Sequence, residues 1–160
     1  MPVSASDSDG NTDSRGKLMN ATMKKFGAPG TLIRDYKHWV VLLRPGQVTL
    51  GALVLVCKEP ATTFSMLSVN AFTEMQTITG HIEGTLQKAF DYDKINYLML
   101  MMLDPDVHFH VIPRYENSRS FSNQDFLDHG WPGPPDLAQP NHTSSETNQS
   151  ILSALRADWP

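Results

Sequence analysis

The sequence predicts an α+β fold, an antiparallel five-stranded sheet with one long helix and a short helix packed on it. Five segments have the alternating or continuous apolar composition of β-strands, and turn residues separate neighbouring segments. One long segment, residues 68–90, changes to a helical period. A second and shorter helical pattern covers residues 149–157.

The first half of the chain predicts a hairpin, a central strand and the long helix. Residues 31–34 and 38–43 flank a polar connection and suit the hairpin. Residues 50–57 are nearly all apolar, which is typical of a strand covered on both faces. Ser68 is a candidate helix N-cap. The predicted core stripe of the helix recurs every three or four residues: Phe72, Met75, Ile78, Ile82, Leu86 and Phe90.

The second hairpin carries the residues of greatest chemical interest. An apolar run at 96–103 is followed by the turn-forming pair Asp104-Pro105 and by an alternating segment at 106–115. Because side chains of a strand alternate between its faces, consecutive members of one face lie about 6.5–7 Å apart. One face of this strand then presents three polar groups in a row: Asp106, His108 and His110.

Length and composition limit the organisation and the partners of the chain. At 160 residues we expect one domain over residues 17–118, with a disordered tail at 1–16. Residues 119–160 are expected to wrap over the domain or over a partner subunit. The formal charge of −4 gives no basic footprint for nucleic acid, and no apolar run of about 20 residues predicts a membrane span.

The single cysteine, Cys57, excludes an intramolecular disulfide and a cysteine-based zinc site. The first 16 residues lack the apolar segment of a secretory signal. A reducing, cytoplasmic compartment is therefore expected.

The histidine pair allows three interpretations from the residues alone. His108 and His110 could be ordinary residues of a half-exposed strand. They could bind a metal with a remote ligand, for which His129 or His142 is available. They could also serve covalent catalysis, since a neutral imidazole is a good nucleophile when its other nitrogen is held by a fixed acceptor. Two other histidines are expected outside any site: His38 as a surface or packing residue and His81 as an exposed one.

The strand also resembles the motif of a known family. Asp106-x-His108-x-His110-Val111-Ile112-Pro113-Arg114 is similar to the signature of the histidine triad (HIT) superfamily, three alternating histidines commonly followed by Pro-Arg. Upstream, residues 33–43, 51–58 and 68–90 resemble the first hairpin, a central strand and the helix of that family. Asn96 matches an asparagine that precedes the catalytic strand. The resemblance covers about residues 31–115 and implies a HIT-like fold.

The resemblance implies a function for individual residues. His108 would be the nucleophile that attacks an α-phosphate and forms a transient nucleotidyl-histidine, and His110 would contact phosphate oxygens. Asn96 would lie on the phosphate or ribose side. The implied activity is that of a nucleotidyl hydrolase or transferase acting on dinucleoside polyphosphates or nucleoside phosphoramidates. A homodimer formed through the helix and an edge strand is implied, and no cofactor or metal is predicted.

The chain departs from the family pattern at several positions. Asp106 replaces the first histidine, and apolar Met101-Met102-Leu103 replaces a donor-bearing segment. No carboxylate occurs between Trp39 and Gln47, where the family has a ribose-binding aspartate, and Arg44 lies there instead. We expect Arg44 and Asp106, with Asn96, to bind the nucleotide or its phosphate. Two hypotheses follow, a phosphotransfer enzyme and a nucleotide- or anion-binding module without turnover.

Overall fold

A computed structural model describes residues 19–160, so the tail predicted at 1–16 lies outside the described residues. The described elements, in chain order, are α1 (Ala21–Lys25), β1 (Leu32–Asp35), β2 (Trp39–Leu43), β3 (Leu53–Cys57), a 3-10 turn (Phe64–Met66), α2 (Val69–Phe90), β4 (Lys94–Leu98), β5 (His108–Arg114), β6 (Arg119–Phe121), β7 (Gln124–Phe126) and α3 (Ser145–Asp158).

The main sheet has five antiparallel strands in the order β1-β2-β3-β5-β4. This confirms the predicted fold class. Every residue of β3 is buried, because apolar β3 lies in the middle of the sheet with both faces covered. Strands β6 and β7 form a separate two-stranded sheet.

Strand β4 is shorter than the apolar run predicts. It ends at Leu98, opposite His110, and residues 99–107 form a loop in place of the predicted tight turn at Asp104-Pro105. Met101 has a φ of +53°, a left-handed conformation that a continuing strand does not allow. The prediction of a strand from apolar composition was therefore wrong for residues 99–103, which lie in the loop.

One face of the sheet packs against α2 and α3 and forms the main core. Ser68 is the N-cap of α2 and accepts a hydrogen bond from the backbone N–H of Ala71, as predicted. Ile78, Ile82, Leu86 and Phe90 of the predicted stripe are buried. Phe72 is not, since it is 40% exposed and contacts Phe64 edge-on.

The opposite face of the sheet carries the histidines and is partly covered by two segments of the chain. Met23 and Phe26, in and just after α1, pack on four aliphatic residues of β2 and β3: Val40, Leu42, Val54 and Val56. Leu137 of the C-terminal extension packs near Ile112 and Leu98. The histidines lie between these covers.

The C-terminal extension contributes to the main core. Phe126 of β7 and three residues of α3 are buried there: Ile151, Leu152 and Leu155. Helix α3 begins four residues before the segment predicted from sequence, at Ser145, with Ser144 as its N-cap. No helix of the described part combines the length and the apolar character that a bilayer span requires.

Candidate functional site

The alternation of β5 places His108 and His110 on the same face, opposite Val56 and Val54 of β3. Their ring centroids lie 5.2 Å apart with the rings nearly perpendicular. Both residues are almost fully buried, His108 at 1% exposed and His110 at 6%. Both nevertheless line a cleft of about 250 Å³. The sequence-predicted pair is thus held side by side at the bottom of an opening.

The orientation of the His108 ring is fixed by the backbone. Its Nδ1 lies 2.7 Å from the main-chain carbonyl oxygen of Asp106. A carbonyl can only accept, so Nδ1 must carry the hydrogen and donate it. In the neutral imidazole, Nε2 is then the nitrogen with the free lone pair. This is the arrangement that a nucleophilic histidine requires.

His110 is held in its uncharged form. Burial, the nearby positive charge of Arg44 and the proximity of His108 together lower the pKa of His110 to about 4, with burial the largest cause. Its Nδ1 is buried and has no hydrogen-bond partner. A buried polar atom without a partner is uncommon in a folded protein and indicates a position that a ligand or water can complete.

Arg44 supplies a positive charge to the same cleft. It follows β2 directly, and its guanidinium donates to the carbonyl of Gly46. Burial lowers the pKa of Arg44, which still remains protonated, and its Nε is buried without a partner. Among the described residues, no carboxylate lies within ion-pair distance of Arg44. A partly buried guanidinium without a counter-charge favours an anionic ligand.

Two further cleft residues were not identified from sequence. Lys25 pairs with Asp104 at 2.8 Å, which links the end of α1 to the loop after β4. Phe26 contacts both imidazoles, with ring centroids 6.2 Å from His108 and 5.5 Å from His110. The local sequence of α1 does not indicate that Phe26 lies over the histidines, because that position depends on contacts between distant parts of the chain.

Asp106 lies next to the site, and its side chain binds Thr22 of α1. Its carboxylate accepts hydrogen bonds from the Thr22 hydroxyl at 2.9 Å and from the Thr22 backbone N–H at 3.3 Å. It thereby supplies an acceptor for the Thr22 N–H in the first turn of α1, beside the N-cap Asn20 that accepts from Met23. The carboxylate does not line the cleft. The structure therefore places Asp106 in a supporting position, in contrast to the expected contact with phosphate.

Asn96 is not brought together with the histidines. Its side-chain oxygen accepts from Arg114, which also forms a bidentate ion pair with Asp128. Asn96 and Arg114 line a different pocket beside Trp131. Because its acceptor is already used by a buried arginine, Asn96 serves the packing of the C-terminal extension in this structure.

The remaining histidines lie outside the cleft. The backbone N–H of His38 donates to Glu74. His81 is half-buried beside the Tyr36 hydroxyl at 2.8 Å, so its expected exposure is wrong. His129 and His142 line a separate surface pocket. Within residues 19–160 no group of three or more His, Cys, Asp or Glu side chains is placed to hold a metal ion.

Comparison with family models and with curated proteins gives no match. Comparison with solved structures gives several matches. A histidine triad protein from Sinorhizobium meliloti is 19% identical with a TM-score of 0.69, covering 88% of this chain and 96% of that one. One from Bradyrhizobium japonicum is 23% identical, with a TM-score of 0.66 and the same coverage. The diadenosine triphosphate hydrolase of Plasmodium falciparum is 10% identical with a TM-score of 0.57, covering 81% and 76%.

These similarities extend over most of both chains and agree with the order of strands and helices described above. At this level of identity they establish the architecture alone. The chain has the fold of the histidine triad proteins.

Proposed function

We propose that the protein is a nucleotidyl hydrolase or transferase. It acts on a nucleotide phosphoanhydride or phosphoramidate through a covalent nucleotidyl intermediate on His108. The observation that carries this proposal is the hydrogen bond from Nδ1 of His108 to the Asp106 carbonyl, which directs the free lone pair to Nε2. The diadenosine triphosphate hydrolase among the structural neighbours supports a nucleotide substrate.

The reaction has two displacements at phosphorus. In the first, Nε2 of His108 forms a P–N bond while the bond from phosphorus to the leaving group breaks. The leaving group keeps the bonding electron pair and takes a proton from solvent. In the second, water forms a new P–O bond, the P–N bond breaks and the water proton returns to solvent. The products are a nucleoside monophosphate and His108 in its original form; another nucleophile in place of water would give transfer.

The neighbouring groups stabilise the phosphate during both steps. Arg44 offers a charged donor that has no carboxylate partner in the described part of the chain. His110 stays neutral because its pKa is low, so it adds no positive charge beside the nucleophile. Donors aimed at charge that develops in a transition state typically contribute two to three orders of magnitude in rate, about 3–4 kcal/mol each.

A second candidate function has an observation in its favour. Phe26 covers part of both imidazoles, and the nucleophile itself is 1% exposed. A cleft of about 250 Å³ is smaller than most small-molecule sites, which span roughly 300–1,000 Å³. A nucleotide- or anion-binding module without turnover fits a small cleft in which the imidazoles are so little exposed.

Turnover separates the two functions. Purified protein is incubated with adenosine 5′-phosphoramidate, diadenosine triphosphate and diadenosine tetraphosphate, and AMP release is followed by chromatography. Catalysis predicts AMP from at least one compound and none with His108→Ala, whose folding is checked by circular dichroism. Measurable affinity for AMP without any AMP release by the unaltered protein would favour the binding module and contradict the enzyme.

We further propose a homodimer formed through α2 and the edge strand β4. Four apolar side chains in and before the first turns of α2 are exposed: Phe64, Met66, Val69 and Phe72. Phe64 and Phe72 contact each other edge-on, and exposed apolar side chains that lie together are typical of an interaction surface. A cytoplasmic location is proposed from the single buried thiol of Cys57, which has no partner for a disulfide.

A further inference from the structure

The turn between β2 and β3 carries Arg44 at the cleft and is stabilised from inside by Gln47. The Gln47 side chain is fully buried, and its amide nitrogen donates to the backbone carbonyls of Arg44 at 2.7 Å and Ala52 at 3.1 Å. Its amide oxygen accepts from the backbone N–H of Gly51 at 2.9 Å. Because a carbonyl only accepts and a backbone N–H only donates, these partners fix the orientation of the amide. The turn therefore has one defined backbone conformation.

The same turn holds the guanidinium of Arg44. Its Nη1 donates to the carbonyl of Gly46, and this carbonyl also accepts from the backbone N–H of Val48 at 3.0 Å. The backbone at Val48 thus sets the position of the acceptor that the guanidinium uses. A β-carbon at Gly46 would lie only 2.8 Å from Nη1 of Arg44. The guanidinium therefore fits against a glycine, with no room for a side chain at that position.

The C-terminal extension binds this turn from outside, mainly through Asn141. The backbone N–H of Asn141 donates to the carbonyl of Gln47 at 2.8 Å, in an isolated β-bridge. Its side-chain nitrogen donates to the carbonyls of Gln47 at 3.1 Å and Val48 at 3.2 Å. Asn148 of α3 donates to the carbonyl of Pro45 at 3.2 Å. The extension therefore holds backbone carbonyls on both sides of the one that binds the guanidinium.

Asn141 is itself fixed within the extension. Its side-chain oxygen accepts from the backbone N–H of Leu127 at 2.9 Å, and its side-chain nitrogen donates to the carbonyl of the same residue at 2.9 Å. Leu127 directly follows Phe126 of β7, which is buried in the main core. Both ends of the Asn141 amide are thus engaged. Asn141 connects the core of the protein to the turn that holds Arg44.

We propose that Asn141 is a positioning residue for Arg44. It holds the turn in the conformation that presents the guanidinium to the phosphate of the ligand, and the peptide groups of Val48 and Gly46 connect the two side chains. This inference rests on the proposed function, in which Arg44 binds the phosphate. Asn141 lies outside residues 31–115, which carry the family resemblance, so the sequence motif does not indicate this role.

A double-mutant cycle tests the inference. The Kd for AMP is measured by calorimetry on the full-length protein, with and without Asn141→Ala, both in the parent and in the Arg44→Met background. We expect Asn141→Ala to raise the Kd at least about threefold in the parent and less than about 1.5-fold in Arg44→Met, because the effect passes through the guanidinium. An unchanged Kd in the parent would overturn the inference. So would an equal rise in both backgrounds, which a merely structural role predicts.

Two further variants make the test independent of how well Asn141→Ala folds. Gly46→Ala places a methyl group against Nη1 of Arg44 and should also raise the Kd in the parent and leave it unchanged in Arg44→Met. An unchanged Kd in both backgrounds would overturn the inference. Gln139→Ala is the matched control, since it removes an exposed amide of the extension that binds Asp136, and it should leave the Kd unchanged. A rise as large as that of Asn141→Ala would overturn the inference.

AMP release by the unaltered protein is measured separately from the cycle. Coupling between Asn141 and Arg44, with no AMP released from any of the adenylated compounds, supports the role of Asn141 and overturns the proposed catalysis. AMP release without coupling supports the catalysis and overturns the role of Asn141. The two failures are therefore distinguishable.

Discussion

Asp106 and His108 are joined through the backbone, since the main-chain carbonyl of Asp106 accepts from Nδ1 of His108 at 2.7 Å. The carboxylate of Asp106 is used elsewhere, on Thr22 at the start of α1. A residue at this position therefore orients the ring of His108, the proposed nucleophile, whatever its own side chain is. This explains how an aspartate can stand at the position of the first histidine of the family motif while the His108 ring keeps its orientation.

The first prediction concerns Asp106. Asp106→Ala should lower the free energy of unfolding by about 1 kcal/mol, because the first turn of α1 loses a capping carboxylate. The carbonyl that orients His108 is retained, so AMP release should fall far less than in His108→Ala. Urea denaturation and the AMP assay measure the two effects. Unchanged stability with activity as low as in His108→Ala would show that the carboxylate acts in the reaction itself.

The second prediction concerns Arg44. Arg44→Met removes a partly buried charge that has no carboxylate partner among residues 19–160, so the free energy of unfolding should change by less than about 1 kcal/mol. The Kd for AMP should rise by about tenfold to a hundredfold, the usual value of a hydrogen bond to a charged group. Calorimetry measures this change. Lys37→Met, which removes an exposed charge outside the cleft, is the control and should leave the Kd unchanged.

The third prediction follows from the low pKa of His110. The ordinary value near 6.5 applies to the unfolded chain, and burial lowers the folded value to about 4. Between these values the unfolded state binds a proton that the folded state does not, so stability falls as pH decreases from 6.5 to 4. The loss from this residue should reach about 3 kcal/mol.

His110→Asn provides the comparison for this effect, because asparagine does not titrate. Urea denaturation at intervals from pH 7.5 to 4.5 should show a smaller loss of stability in the variant than in the parent. Parallel curves would mean that His110 takes up its proton equally in both states and is not held neutral by the fold.

The fourth prediction concerns assembly. Phe72→Glu places a charge on the exposed apolar patch at the start of α2 and should convert the proposed dimer to a monomer. Light scattering coupled to gel filtration measures the mass. Leu127→Glu introduces the same charge at an exposed leucine outside α2 and β4 and should leave the dimer intact. A monomeric parent protein would contradict the proposed dimer directly.

Local patterns predicted the parts of this protein that depend on neighbouring residues. The alternation in β5 placed both histidines on one face, and Ser68 marked the start of α2, because both follow from backbone geometry and capping. Residues 99–103 show the limit of such patterns. They are as apolar as a strand, but they lie in a loop and residues 100–103 line a cleft, and composition does not distinguish these outcomes.

The rest of the site depends on contacts between distant segments. Phe26 covers the histidines because Asp106 and Asp104 hold α1 across the sheet. The side-chain oxygen of Asn96 accepts a hydrogen bond from Arg114, away from the cleft. No spacing in the sequence specifies these partners, so the family resemblance alone assigned Asn96 to the phosphate.

The most direct measurement is the mass of the peptide that contains His108 after rapid mixing with an adenylated substrate and a denaturing quench. The proposed reaction predicts one added adenylyl group on this peptide, located on His108 by fragmentation and absent from His108→Ala. Release of AMP without any adduct on His108, or an adduct on another residue, would contradict the covalent mechanism.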